Sequence, residues 1–433
     1  DMSTKETFSN RLSFIFSALG CAVGCGNIWR FPYLVGKYGG GIFLLMYLII
    51  IFVIACPLLT MEFSLGRLTR KEPIAAYQEV SKTKAWGVTG LLGILVSFCW
   101  LAYLTPIFGI LVGYLFKFMT GFFDGMSPSE IAASYETYRV QGNLIAVQSL
   151  SLLAIIAAAL LKGVRNGLEK LNNICMPALI VILFLLCIRS LTLPGVWAGL
   201  DFYLRPDFSK FTAEALIAAL GQALFSVGVG VGCGIVFGSY LPEDKTPMTK
   251  NSVVVCLGDT AVAFCAGLMI FPSIFSYGLE PSAGSGLLFI TLPNVFVQLP
   301  WGNLIAVLTV LLFMLAMLTS QIACLETLVC FATERFKFSR KRAIAAIVPI
   351  MAALIWLNAV STVSFDRFDW VTSYIFLNGG ALISSIFFGW VWGPEKALNA
   401  AGITKHRELW AFALKYVVPA ALLIINITSF CTL

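Results

Sequence analysis

Eleven stretches of this chain are apolar for about 20 residues or more, long enough to cross a bilayer, and that recurrence decides what the chain can fold into. They lie near 11–36, 41–69, 88–120, 142–161, 168–188, 213–239, 252–276, 301–333, 343–359, 370–393 and 410–431. In hydrocarbon every backbone N–H and C=O must be satisfied within the protein, so segments of this length predict helices. Several exceed the minimum, which implies tilt, kinks or helix beyond the membrane. Composition agrees: of 433 residues 59% are apolar and 12% charged, the profile of an integral membrane protein. The net charge of +7 is therefore no sign of nucleic acid, and the expected surroundings are lipid. The first ten residues are polar and the first apolar stretch lacks a small-residue cleavage site, so no cleavable signal is expected.

Positive charge orients the spans. With the N-terminus in the cytoplasm, twenty of the 29 Lys and Arg residues fall on the cytoplasmic side and seven outside, with Lys117 and Lys415 assigned to neither. An odd number of spans then puts the C-terminus outside a cell membrane. The twelve cysteines mostly sit inside apolar runs and read as reduced packing residues. The single histidine, His406, stands in a polar loop, and no nucleophile with an adjacent base is visible. An enzyme is not expected. Nor is a channel, since no repeated ring of charges or carbonyl filter is seen.

Two of the apolar segments carry their own weak points. The first contains Gly20-Cys21-Ala22-Val23-Gly24-Cys25-Gly26-Asn27, and the sixth runs from Gly221 to Gly234 with glycines at 228, 230, 232 and 234. Each glycine weakens a helix by about 1 kcal/mol relative to alanine. Helix broken at membrane depth persists only where it faces protein, a ligand or a watery cavity. Glycine-interrupted segments at corresponding places in two halves point to a transport site near the midplane. Five spans separate the two, an odd number, so the halves would have opposite topology.

These residues also carry a resemblance. Gly24-Cys25-Gly26-Asn27-Ile28-Trp29-Arg30-Phe31-Pro32 resembles the first-helix signature of the neurotransmitter:sodium symporter family. Gly39-Gly40-Gly41, Glu62 to Arg67, Gly221 to Gly232, Leu318-Thr319-Ser320 and Phe368-Asp369-Trp370 look like its continuation, so the likeness covers essentially the whole chain. Bacterial amino-acid transporters with eleven helices are the most similar subgroup. The resemblance implies a single all-α membrane domain over 1–433 with discontinuous first and sixth helices. Its two inverted five-helix repeats would span about 11–188 and 213–393, with an extra helix at about 410–431.

The same resemblance implies two sodium ions as cofactors and no organic cofactor. The first sodium would use the Ala22 carbonyl with Asn27, Ser226 and Asp259, where Asp259 replaces the family's asparagine. The second would use the carbonyls of Gly20, Val23 and Ala316 and the hydroxyls of Thr319 and Ser320. A hard cation takes such oxygen donors. Tyr47, Gln222 and Ser226 match parts of an anion site found in chloride-dependent relatives, but Ala263 stands where those carry a serine. Asp259 is then expected to supply the negative charge, without chloride.

Substrate residues follow from the same register: Ala22, Gly24, Cys25, Gly26, Trp100, Phe225, Ser226, Gly228, Val231, Ser320 and Cys324. Carriers of amines place an aspartate at position 24, and Gly24 here leaves room for a substrate's own carboxylate. A neutral, apolar amino acid is expected, with an amine or other small organic solute as the alternative, or a sensor that binds without transport. The family's third-helix tyrosine falls on Leu104, with Tyr103 one residue and about 100° away. Arg30 and Asp369 match an outer gate with Phe225 as lid. Lys5 and Glu334 match an inner pair with Tyr240 in support. Gly167 and Pro177 match a motif at which the fifth helix unwinds, and Glu62 would sit near the broken sixth helix. Glu326 and Lys117 are left without a role, and the oligomeric state is open.

Overall fold

The computed structural model describes residues 5–24, 26–242, 246–279 and 286–431, with side chains described as far as residue 428. Cys25 therefore lies outside the described residues. Nine helices among them are long and apolar enough to cross a membrane: Gly41–Thr69, Gly87–Met119, Gly142–Leu160, Val164–Leu191, Met248–Ser276, Gly302–Arg335, Arg340–Val360, Thr362–Val391 and Arg407–Thr428. The first span precedes these as Arg11–Ala22 and Gly26–Lys37, two pieces bent by 51°. The sixth is likewise in two pieces, Ala213–Val227 and Cys233–Ser239. The order is the one the hydropathy predicts, and the described cysteines are all free.

Hydropathy misplaces two span starts. The tenth helix begins at Thr362, because Ser361 caps it and its first turns (Thr-Val-Ser-Phe-Asp-Arg-Phe-Asp) are polar yet helical. The fifth begins at Val164 with a wide turn, where the Glu6 carboxylate holds the Val164 N–H. Helices also occupy connections between the apolar runs, among them Pro73–Ser81 and Pro128–Arg139. Both start with proline, whose missing N–H costs nothing in a first turn. The Glu72 side chain accepts from the N–H groups of Ile74 (2.7 Å) and Ala75 (3.0 Å), and Ser127 with Glu130 forms a capping box.

The third and eighth spans lie side by side at the centre. The first half of the first span packs on the fifth, seventh and eighth, and the second half of the sixth packs on the second. That last contact requires glycine: a Cβ at Gly66 would fall 2.0 Å from the Ile235 carbonyl oxygen, and one at Gly238 2.4 Å from that of Phe63. Backbone meets backbone, which fixes Glu62, one turn before Gly66, beside the break in the sixth span. Large apolar side chains such as Phe184 and Ile424 are left exposed on the outer spans, as lipid contact demands.

Candidate ion and substrate sites

The sixth span stops because Gly228, Gly230 and Gly232 take φ of 72°, 79° and 81°. Only glycine adopts that region without cost. The freed groups find partners: Gly230 N–H donates to Glu62 Oε1 (2.8 Å), and the Val231 carbonyl accepts from Ser97 Oγ (2.7 Å). In the first span the helix ends at Ala22, and Val23 turns extended with its N–H on the Leu19 carbonyl (2.7 Å). Gly24 N–H then donates to Asn27 Oδ1 (3.2 Å).

Beside these breaks stands Asp259, wholly buried in the seventh span. Its carboxylate accepts from Asn27 Nδ2 (2.6 Å), Ser226 Oγ (2.8 Å) and Tyr47 Oη (3.3 Å). Asn27 Nδ2 also reaches Ser226 Oγ (3.0 Å) and the Asp259 carbonyl (3.1 Å), and Tyr47 Oη reaches Ser226 Oγ (3.1 Å). All these donors are neutral, and Asp259 has no ion-pair partner among the described residues. An ionised carboxylate away from water costs several kcal/mol unless a cation offsets it. Gln222 donates to the Gly26 carbonyl at 2.8 Å and leaves its own oxygen unpaired. Ala263, one turn beyond Asp259, is buried and offers no hydroxyl. Three of the four residues expected at a first sodium thus converge, while the fourth, Ala22, lines the adjoining cavity. No group of three or more His, Cys, Asp or Glu suited to a metal occurs among the described residues, so transition-metal chemistry has no candidate set there.

Gly20 meets the eighth span where a second sodium is expected. A Cβ at Gly20 would lie 3.1 Å from Thr319 Cβ and 2.9 Å from Asn172 Oδ1. Thr319 Oγ1 bonds back to the carbonyls of Leu315 (3.2 Å) and Ala316 (3.1 Å), and Ser320 Oγ to that of Met317 (3.2 Å). Each hydroxyl oxygen keeps lone pairs to offer. Val23 and Ala316 are both buried here.

Between the breaks lies a cavity lined by Ala22, Gly24, Gly26, Trp100, Leu104, Phe225, Ser320 and Cys324, together with Cys21, Met317 and Gln321. Gly228 and Val231 belong to the unwound stretch behind it and are not on its wall. Trp100 and Phe225 close it, ring centroids 4.7 Å apart. Above them a vestibule of about 200 Å³ is lined by Arg30, Tyr103, Phe225 and Asp369 among others. Tyr103 thus turns away from the cavity and donates to Asp369 Oδ1 at 2.9 Å, while Leu104 faces inward. Sequence alone does not reveal two polar atoms on the cavity residues: Trp100 Nε1 and Gln321 Oε1 are buried without a hydrogen-bond partner among the described residues.

The two ends of the bundle differ. Arg30 lies over the Phe225 ring (4.6 Å to its centroid) and makes no ion pair with Asp369, although both line the vestibule. At the opposite end Lys5 Nζ sits 2.5 Å from Glu334 and donates to the Arg70 carbonyl (3.0 Å). Tyr240 Oη donates to Glu326 Oε1 (2.7 Å), and Arg340 clasps both oxygens of Glu326. Glu326, without a role in the sequence reading, is therefore a buried member of this set of bridged charges; its acidity was visible but its partner, fourteen residues on in another span, was not. Lys117, the other unassigned charge, rests against the rings of Tyr138 and Phe122. The fifth span is helical from Gly167 through Pro177, with no unwinding in this structure.

Two broken spans beside buried polar groups, in a bundle whose described residues include nine membrane-length helices, suit a membrane transporter. The sodium:neurotransmitter symporter family matches residues 5–125 and 136–433, and the chain belongs to that family of sodium-dependent transporters. An uncharacterized sodium-dependent transporter of Haemophilus influenzae is 32% identical over 98% of both chains. The uncharacterized sodium-dependent transporter YhdH of Bacillus subtilis is 30% identical over 96% of both. Among solved structures, that of MhsT in complex with L-phenylalanine superposes with a TM-score of 0.90, at 33% identity, over 99% of this chain and all of that one.

Proposed function

We propose that this transporter couples the inward flow of two sodium ions to uptake of a neutral amino acid, without chloride. The observation that carries the reading is Asp259, a buried carboxylate held by three neutral donors and by no cation. Sodium at the first site neutralises it, in a cluster where a chloride would meet a fixed negative charge. Ala22, Asn27, Ser226 and Asp259 hold that ion, and Gly20, Val23, Ala316, Thr319 and Ser320 hold the second.

The substrate reading rests on the cavity. It carries no charged side chain, and Gly24 leaves space beside Ser320. A zwitterion brings its own two charges: the carboxylate meets the first sodium and the amides near Gly26, and the ammonium meets carbonyls of the broken helices, whose ends carry matching partial charges. Leu104 leaves no hydroxyl where one was expected, and the indole N–H of Trp100, one turn away on the same helix face, replaces it as a donor. Sulfur and aromatic atoms (Cys21, Cys324, Met317, Phe225) suit a large apolar side chain, and MhsT carries L-phenylalanine in its structure.

Arg30 and Asp369 form the outer gate and close over Phe225. Lys5–Glu334 and Arg340–Glu326–Tyr240 form the inner lock. An open vestibule at one end and bridged charges at the other suit a state facing outward, with the N-terminus in the cytoplasm. Release of the second sodium would follow opening of the fifth helix between Gly167 and Pro177.

The test is uptake into proteoliposomes under a sodium gradient, across a panel of amino acids and amines, in chloride and in gluconate. Sodium-dependent uptake of large neutral amino acids, equal in both anions, is expected. Chloride-stimulated uptake that persists in Asp259→Asn would overturn the chloride reading, and preference for an amine would overturn the substrate.

A further inference from the structure

The first span presents Ser13, Ser17 and Gly20 at helical spacing toward the polar start of the fifth span, Asn172 and Asn173. Asn173 Nδ2 donates to Ser13 Oγ at 3.1 Å, which fixes that end of the interface. Further in, the polar atoms lack partners. Asn172 is fully buried, and neither its Oδ1 nor its Nδ2 has a hydrogen-bond partner among the described residues; Ser17 Oγ and Asn173 Oδ1 are in the same position. Native interiors seldom leave buried amides unpaired, and such groups mark a water, an ion or a functional constraint.

The place of the Asn172 amide shows which. The point that a Cβ on Gly20 would occupy lies 2.9 Å from Asn172 Oδ1 and 3.1 Å from Thr319 Cβ. The absence of a side chain at position 20 thus lets the Asn172 amide and Thr319 both come close to the Gly20 backbone. An amide oxygen is a good donor to a hard cation, and leucine would pack there with less penalty if packing were the only demand.

We propose that Asn172 is an oxygen ligand of the second sodium, contributed by the fifth span to a site otherwise built from the first and eighth. This rests on the reading that a second sodium binds between Gly20 and Thr319. The ligand stands on the helix segment between Gly167 and Pro177, so movement of that segment withdraws an oxygen from the ion. Binding of the ion and the position of the fifth span are thereby coupled.

The test is equilibrium binding of ²²Na⁺ to the purified full chain, without organic substrate, for the wild type, Asn172→Leu, Asn172→Asp and Thr319→Ala. Ligation predicts that Asn172→Leu raises the half-saturating sodium of one component about tenfold, as Thr319→Ala does. It also predicts that Asn172→Asp binds sodium at least as tightly as the wild type. A packing role predicts the reverse order, because leucine removes an unpaired amide whereas aspartate buries a charge. Wild-type binding in Asn172→Leu, with the component reduced in Thr319→Ala, overturns the ligand while leaving the site. No sodium binding by the wild type overturns both. If Asn172→Leu does not fold, tightened binding in Asn172→Asp still supports the ligand, and weakened binding overturns it.

Discussion

Asp259 and Glu326 are both wholly buried acids inside apolar spans, yet their surroundings are opposite. Glu326 is clasped by the Arg340 guanidinium and Tyr240, whereas Asp259 receives only neutral hydrogen bonds from Asn27, Ser226 and Tyr47. A charge in a low-dielectric interior needs a counter-charge. Where the protein supplies one, as at Glu326, the pair joins the eighth and ninth spans. Where it supplies none, as at Asp259, the proposed sodium would bring the counter-charge from solution. On the proposed reading, the difference separates an acid paired within the protein from one that pairs with a sodium ion, and it can be broken from either side.

The largest effect is expected at Asp259. Asp259→Ala removes the one charged oxygen of the first site, a change worth about 2–5 kcal/mol or more, so sodium affinity falls at least about thirtyfold and uptake drops to background. Sodium titration of ²²Na⁺ binding reads this directly, and unaltered affinity would remove the basis of the comparison. Next comes Arg340→Ala, which leaves Glu326 unpaired at a cost of about 3–5 kcal/mol in folding or in holding that end closed. It should lower the melting temperature in detergent while the half-saturating sodium of the folded fraction stays within about twofold. The double variant Arg340→Met with Glu326→Gln should recover most of the loss, since the penalty lies in the orphaned charge. A sodium shift in Glu326→Gln as large as that in Asp259→Ala would erase the distinction between the two acids.

Much of this was legible in the sequence because it depends on local patterning. Nine of the eleven apolar runs are single membrane-length helices among the described residues, the first and sixth are broken in two, and glycines at 228, 230 and 232 give the break with positive φ. Asp259 stood out as an acid in a hydrophobic run. The role of Glu326 was not legible, since only the packing of two neighbouring spans brings Arg340 to it. Helices such as Pro73–Ser81 escape a search for long apolar runs because they are short and half polar. Asn172 sits in a polar helix start where asparagine draws no notice, and only its distance from Gly20 gives it meaning. Tyr103 shows how finely register matters: one position from Leu104, it serves Asp369 in the vestibule instead of the cavity.

The smallest effect is expected in the cavity and tests whether the neutral half of the site discriminates substrates. Trp100→Phe keeps the ring against Phe225 but removes the unpaired indole N–H. Loss of one hydrogen bond, about 0.5–1.5 kcal/mol, should raise KM for the amino acid about two- to tenfold and leave the sodium titration unchanged. Leu104→Tyr in that background restores a hydroxyl on the same face and should recover part of the loss. If Trp100→Phe leaves KM unchanged, the indole N–H does not hold the carboxylate, and the donor must be sought in the backbone of the two breaks. The sodium titration separates these outcomes from damage at Asp259, because an effect on the cavity alone moves KM and not ion affinity.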